Sequence, residues 1–257
     1  MANMLESRPA RACCWSLSAG DLSLVYVLEG FDYLLARGDG LGVRVVNCSF
    51  SANTVFDTND PVNVATRMLT DQWNQCGLSA GNTGPGLHTL NPYAVAPWVI
   101  SVGATDTPGH LASFSSRGDF ASALFHPTLV APGVNVVSLR GSGIANVTGA
   151  EGLAGSDSQR LGASELPYYT TSSGTSFSTP QVAGAIALIL EANPSLTPAQ
   201  VKDILQRTAT PLPPYYQTKL ALACSTYMPP CCRLLFLNDR SEPGAGRSIV
   251  DRCAIHQ

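Results

Sequence analysis

A chain of 257 residues, 45% of them hydrophobic, is long and apolar enough to bury the core of an α/β domain and is not composed like a disordered segment. Charged residues make up 13%, and the net charge is -3 with no basic cluster, which excludes the electrostatic footprint of a nucleic-acid binder. No run approaches the ~20 apolar residues of a membrane span, and Asp21 interrupts the stretch after Arg8 and Arg11, so the N-terminus does not read as a signal peptide.

The chain divides into three parts: 1–20 without periodicity, 21–212 patterned as an α/β domain, and a tail over 213–257 expected to be poorly ordered. In order, Leu22–Arg37 predicts a helix with Val25, Leu28, Phe31 and Leu35 near one face. Val43–Cys48 predicts a strand buried on both faces of a parallel sheet. Pro61–Asn74 predicts a helix with Val64, Ala65, Met68, Leu69 and Trp73 inward, and Trp98–Val102 and Val134–Ser138 predict strands. A helix follows from Thr175 to Glu191, with Pro180 tolerable in its opening turns and Ala183, Gly184 and Ala185 small enough for close packing on the sheet. The next starts at Thr197, Pro198 and Gln200, which fit an N-cap, a first-turn proline and a capping-box partner. Within the tail, Leu234–Leu237 is at most a short strand. The alternation of helix and strand favours a parallel sheet with right-handed crossovers.

The eight cysteines do not form a small disulfide framework, because adjacent pairs sit at both ends and only Cys48 and Cys76 fall in the patterned middle. A zinc reading of Cys253 with His256 uses the right ligand types, but the surrounding spacing fits no site. No cluster of oxygen ligands at a nameable spacing marks a calcium site, and no metal ligand or cofactor is identified.

Chemistry concentrates in two segments. Gly174-Thr175-Ser176-Phe177-Ser178-Thr179-Pro180 precedes an apolar helix, so Ser176 falls at a helix N-terminus, where unpaired N–H groups favour developing negative charge. A Ser/Thr-rich loop that merely caps the helix is the plainer reading. Ser79-Ala80-Gly81-Asn82-Thr83-Gly84-Pro85 follows a strand, at the end of a parallel sheet where ligands gather. Its Asn82 amide can donate to an oxyanion, although Asn-Thr-Gly-Pro is also an ordinary turn.

Between them, in order, come Pro97–Ala104, Ser113-Phe114-Ser115-Ser116-Arg117-Gly118 and Val130-Ala131-Pro132-Gly133. Over roughly residues 22–212 these motifs resemble the subtilisin-like (subtilase) family of serine endopeptidases. The resemblance implies a three-layer α/β sandwich with a mostly parallel sheet, incomplete on its N-terminal side. It implies Ser176 as nucleophile, with Asn82 and the Ser176 N–H as oxyanion donors. Ser49, Phe50 and Ser51 match the edge that holds an extended polypeptide substrate as an added strand, with Ser79, Gly81 and Thr175 carried along as substrate-binding positions. Phe50 reads equally well as a core residue. Calcium and secretion enter through the resemblance alone, and Asn146-Val147-Thr148 is a glycosylation acceptor only in a secreted eukaryotic protein.

Two departures stand out. A serine hydroxyl needs an adjacent base, oriented by a third group. In this family both precede the strand containing Asn47, in Asp-Ser/Thr-Gly and His-Gly-Thr motifs. Neither motif occurs here, and His88, His110, His126 and His256 all come later in the chain. His88 and His110 read as loop residues, and His126 sits where the family has a surface position. Second, Cys76-Gly77-Leu78 is all that separates the expected helix end from Ser79, about four residues short of a normal strand. Both departures fit a truncated or mis-spliced protease, inactive as this chain alone. The alternatives are a non-catalytic relative that binds peptides through the same cleft, and a dinucleotide-binding domain. The latter rests on Gly38, Gly40 and Gly42 or on Gly141 and Gly143, and neither run completes Gly-x-Gly-x-x-Gly.

Overall fold

The computed structural model of the chain describes residues 24–72, 74–118, 126–140, 155–212 and 222–223. Four short strands carry the sheet in sequence order: β1 (Val45–Cys48), β2 (Gln75–Ser79), β3 (Ile100–Thr105) and β4 (Leu129–Pro132). They pair in parallel, Val46 with Cys76, Leu78 with Ser101 and Gly103 with Val130. The two-residue strand β8 (Leu222–Ala223) extends β4 in parallel, and β7 (Thr210–Pro211) joins it antiparallel.

Side chains alternate across this sheet, as the pleat requires. Val46, Cys48, Cys76 and Leu78 pack with Val27 and Phe31 of α1 (Leu24–Leu41) and with Val62, Ala65 and Leu69 of α2 (Pro61–Asp71). On the other face Ile100, Val102, Leu129 and Ala131 meet Val182, Ile186, Ile189 and Leu190 of α4 (Thr175–Ala192) and Val201 and Leu205 of α5 (Pro198–Thr208). Helices on both faces of a mostly parallel sheet form the three-layer sandwich. Each fully buried Val, Leu or Ile contributes about 1.5–3 kcal/mol, so these two clusters hold the layers together. The capping box of α5 is present, Thr197 accepting from the Gln200 N–H and Gln200 from the Thr197 N–H.

Several expectations need correction. Helix α2 ends at Asp71 rather than Asn74, and β2 is a complete five-residue strand, buried throughout. Because α2 stops at Asp71, no strand residues are missing before Ser79. Val64 and Met68 are exposed on α2, while Val62 and Thr66 take the inner positions, and Trp73 lies outside the described residues. Val25 is exposed on α1, and Val27 faces the core instead. The strand expected over Val134–Ser138 is β5 (Val136–Leu139). It leaves the main sheet to form an antiparallel hairpin with β6 (Tyr169–Ser172), and β4 takes the place beside β3. Gly184 is exposed, with nothing within 4 Å of where a Cβ would stand, and of the three small residues only Ala185 is buried. Cys253, His256, Asn146 and Leu234–Leu237 lie outside the described residues.

Candidate active site

Ser176 occupies the first turn of α4, whose opening residue follows Gly174 directly. Three bonds tie this turn to the end of β4: Gly174 N–H donates to Gly133 O at 2.8 Å, Ser178 Oγ to Ala131 O at 3.0 Å and Gln181 Nε2 to Pro132 O at 2.7 Å. These bonds hold the helix start against the sheet, Gly174 offers no side-chain cap of its own, and within the turn Phe177 N–H donates to Gly174 O at 3.1 Å.

Asn82 reaches this turn from the loop after β2. Its Oδ1 accepts from Thr175 N–H at 2.9 Å and Thr175 Oγ1 at 3.0 Å. A backbone N–H can only donate, so the amide oxygen must face Thr175, and Nδ2 is left as the outward donor. Thr175 is buried, and its hydroxyl also accepts from Gly81 N–H at 3.2 Å. Gly81 holds φ at +108°, with the position of an added Cβ 2.7 Å from Ser116 Oγ, so the turn requires glycine there.

Ser49 lies on the other side of Ser176, in the segment leaving β1. Ser49 Oγ donates to Ser176 O at 3.0 Å, and Ser176 Oγ donates to Ser49 O at 3.3 Å. Ser49, Asn82, Thr175 and Ser176 thus form one bonded group. Phe50 packs its ring against Phe31 and Tyr93, at centroid distances of 6.5 and 6.0 Å, which settles its side chain as a core contact. Ser79 is buried with its hydroxyl 3.4 Å from Phe50 O. Ser51 is exposed and donates to the neighbouring Ala52 O.

One residue of this region is not marked by the sequence motifs. Asn91 is buried and donates both amide hydrogens, to Phe50 O and to Ser79 O at 2.8 Å each, while its Oδ1 accepts from Tyr93 N–H at 3.1 Å. It fixes the 49–51 segment against the end of β2. Its Asn-Pro sequence signals only the turn it also caps.

The histidines distribute otherwise than expected in one case. His88 and His110 are exposed, but His126 is buried beside Lys202, whose Nζ donates to Pro97 O and Val99 O at 3.0 and 3.1 Å. Burial, and after it the Lys202 ammonium, lowers the His126 pKa from 6.5 to about 4. The unfolded chain therefore takes up this proton first on acidification. The stability His126 contributes is present above pH 6.5 and is lost as pH falls through about 4. At 1.36 kcal/mol per pH unit, the loss amounts to about 3 kcal/mol. Denaturant unfolding at stepped pH should show that loss in the parent and not in His126→Gln; equal acid slopes in the two would refute it.

Among the described residues no group of three or more His, Cys, Asp or Glu could hold a metal ion. No helix among them is long and apolar enough to cross a membrane.

A serine in the first turn of a helix, next to a threonine held by an asparagine side chain at the C-terminal ends of the parallel strands, marks the candidate site of this three-layer α/β domain. The family model described as "Subtilase family" matches residues 17–229, and the chain belongs to that family. It is 31% identical over 201 residues to serine protease AprX of Bacillus subtilis, covering 73% of this chain and 43% of AprX. It is 35% identical over 198 residues to subtilisin amylosacchariticus of Bacillus subtilis subsp. amylosacchariticus, covering 75% of this chain and 42% of that protein. The chain thus spans less than half the length of both. The crystal structure of a cold adapted subtilisin-like serine proteinase superimposes with a TM-score of 0.60 at 23% identity, over 81% of this chain and 63% of that one. This likeness carries the fold.

Proposed function

We propose that this chain carries the nucleophile and oxyanion elements of a subtilisin-like serine endopeptidase. The observation that carries the reading is the orientation of Asn82, whose oxygen is committed to Thr175, leaving Nδ2, which lies next to Gly174, as the free donor of the side chain. Ser176 Oγ attacks the scissile carbonyl and forms an ester as the leaving amine departs, and water then hydrolyses it. Asn82 Nδ2 and the Ser176 N–H donate to the oxyanion at each stage. Such donors act where charge develops, which is why losing the equivalent asparagine of a subtilisin costs ~10²–10³ in turnover, a magnitude belonging to that enzyme. An extended polypeptide pairs along Ser49–Ser51, and the same reading places the protein outside the cell.

The proton of Ser176 needs a base, and the sequence contains neither the Asp-Ser/Thr-Gly nor the His-Gly-Thr motif of the family. In our reading this chain alone turns over little or no peptide. The bonds of Ser176 fit that state, since its hydroxyl donates to a backbone carbonyl. The same missing base favours the second reading, a non-catalytic peptide-binding relative. The two separate when the chain is mixed with the segment of a full-length subtilase that bears both motifs, and cleavage of an unfolded polypeptide is followed. The endopeptidase reading expects cleavage that disappears with Ser176→Ala. Peptide binding without cleavage in the mixture supports the other.

A further inference from the structure

Pro180 lies inside α4, and a proline cannot make the helical N–H bond to the carbonyl four residues earlier. That carbonyl belongs to Ser176. It is not left empty: Ser49 Oγ donates to it at 3.0 Å, and Ser49 Oγ in turn accepts from Asn47 Nδ2 at 3.0 Å. Ser176 Oγ closes the pair by donating to Ser49 O at 3.3 Å. A hydroxyl from the end of β1 therefore replaces a bond that the helix cannot make for itself.

We infer that the Ser49 side chain is a positioning residue for Ser176, substituting for the helix bond removed by Pro180 and locking the nucleophile's turn to the 49–51 edge. The inference rests on the reading of Ser176 as nucleophile. Two features make the arrangement specific. The donor must come from outside the helix, because Pro180 blocks the inside route. Asn47 supplies a hydrogen to Ser49 Oγ, which leaves the Ser49 hydroxyl hydrogen for the Ser176 carbonyl. Without Ser49 Oγ the carbonyl loses that donor, and the first turn loses a tether where backbone N–H groups must point at developing charge. A merely structural serine would have no special dependence on residue 180.

The test is a double-mutant cycle of Ser49→Ala and Pro180→Ala, each also built on Ser176→Cys. Thiolate formation at a helix N-terminus depends on the order of that turn, so the alkylation rate of Cys by iodoacetamide, mapped to this peptide, reads the positioning without any catalytic base. Ser49→Ala should slow alkylation about threefold at neutral pH, through a raised thiol pKa. In the Pro180→Ala background residue 180 has an N–H to give to the carbonyl, and Ser49→Ala should then change the rate little. If Ser49→Ala fails to fold, a folded Ser49→Ala/Pro180→Ala chain supports the inference, and an unfolded one refutes it. Equal slowing by Ser49→Ala in both backgrounds also refutes it. Failure of the nucleophile reading shows separately, as polypeptide cleavage that persists in Ser176→Ala.

Discussion

Asn91→Ala should lower the unfolding free energy by about 3–5 kcal/mol. The substitution removes the two donors at Phe50 O and Ser79 O and the acceptor for Tyr93 N–H, all in a buried setting. An unpaired buried polar group costs about 1–3 kcal/mol, and the 3.4 Å contact from Ser79 Oγ to Phe50 O offsets only part of it. Asn91→Asp refines the prediction. Its carboxylate can still accept from Tyr93 N–H but faces two carbonyls with no hydrogen to give. It should be no more stable than Asn91→Ala at pH 7 and should recover relative to it as acidification supplies an O–H. Denaturant unfolding of the three proteins measures this directly, and an Asn91→Ala chain within 1 kcal/mol of the parent would rule it out.

Gly133→Ala should also be strongly damaging, by about 2–3 kcal/mol. Its Cβ would overlap Ser178 Oγ and lie 2.8 Å from both Ala104 Cβ and Gly174 O. Two of these three neighbours are backbone or a buried methyl group, so the helix start itself must move. The same displacement strains the Gly174 N–H bond to Gly133 O, and with it the placement of Ser176. Gly184→Ala is the control within α4, because the added methyl meets open space. It should be neutral or stabilising by about 0.5–1 kcal/mol, as expected for Gly to Ala in a helix interior. A Gly133→Ala chain as stable as Gly184→Ala would show that the β4–α4 junction is not as tight as described.

What the sequence made legible follows physical range. The α5 capping box is a local device spelled out by Thr197, Pro198 and Gln200, and it was readable as such. The serine and asparagine segments were readable because each motif has its turn chemistry in adjacent residues. Strand β2 carries little local signal because it opens with Gln75 and contains Gly77, neither a strand former, and its burial comes from lying between β1 and β3. The β5–β6 hairpin pairs segments separated by the whole stretch around α3 (Asp157–Arg160), and no local pattern announces it. There Arg140 Nη2 meets the buried Asp157 carboxylate at 2.7 Å, a partnership set by tertiary structure. The role of Asn91 and the bond from Ser49 to the Ser176 carbonyl have no local signature for the same reason: the partners are distant in sequence, and the side chains act on backbone atoms.

Under the proposed function Ser176 is a nucleophile that lacks its base in this chain. Intact mass after reaction with a fluorophosphonate serine probe tests it most directly, on the folded chain alone and with the Asp- and His-bearing segment of a full-length subtilase, each beside Ser176→Ala. The account predicts no adduct on the chain alone and a single adduct in the mixture that Ser176→Ala abolishes. A single adduct on the chain alone, lost in Ser176→Ala, would show that a base already serves Ser176; an adduct that survives Ser176→Ala would place the nucleophile elsewhere.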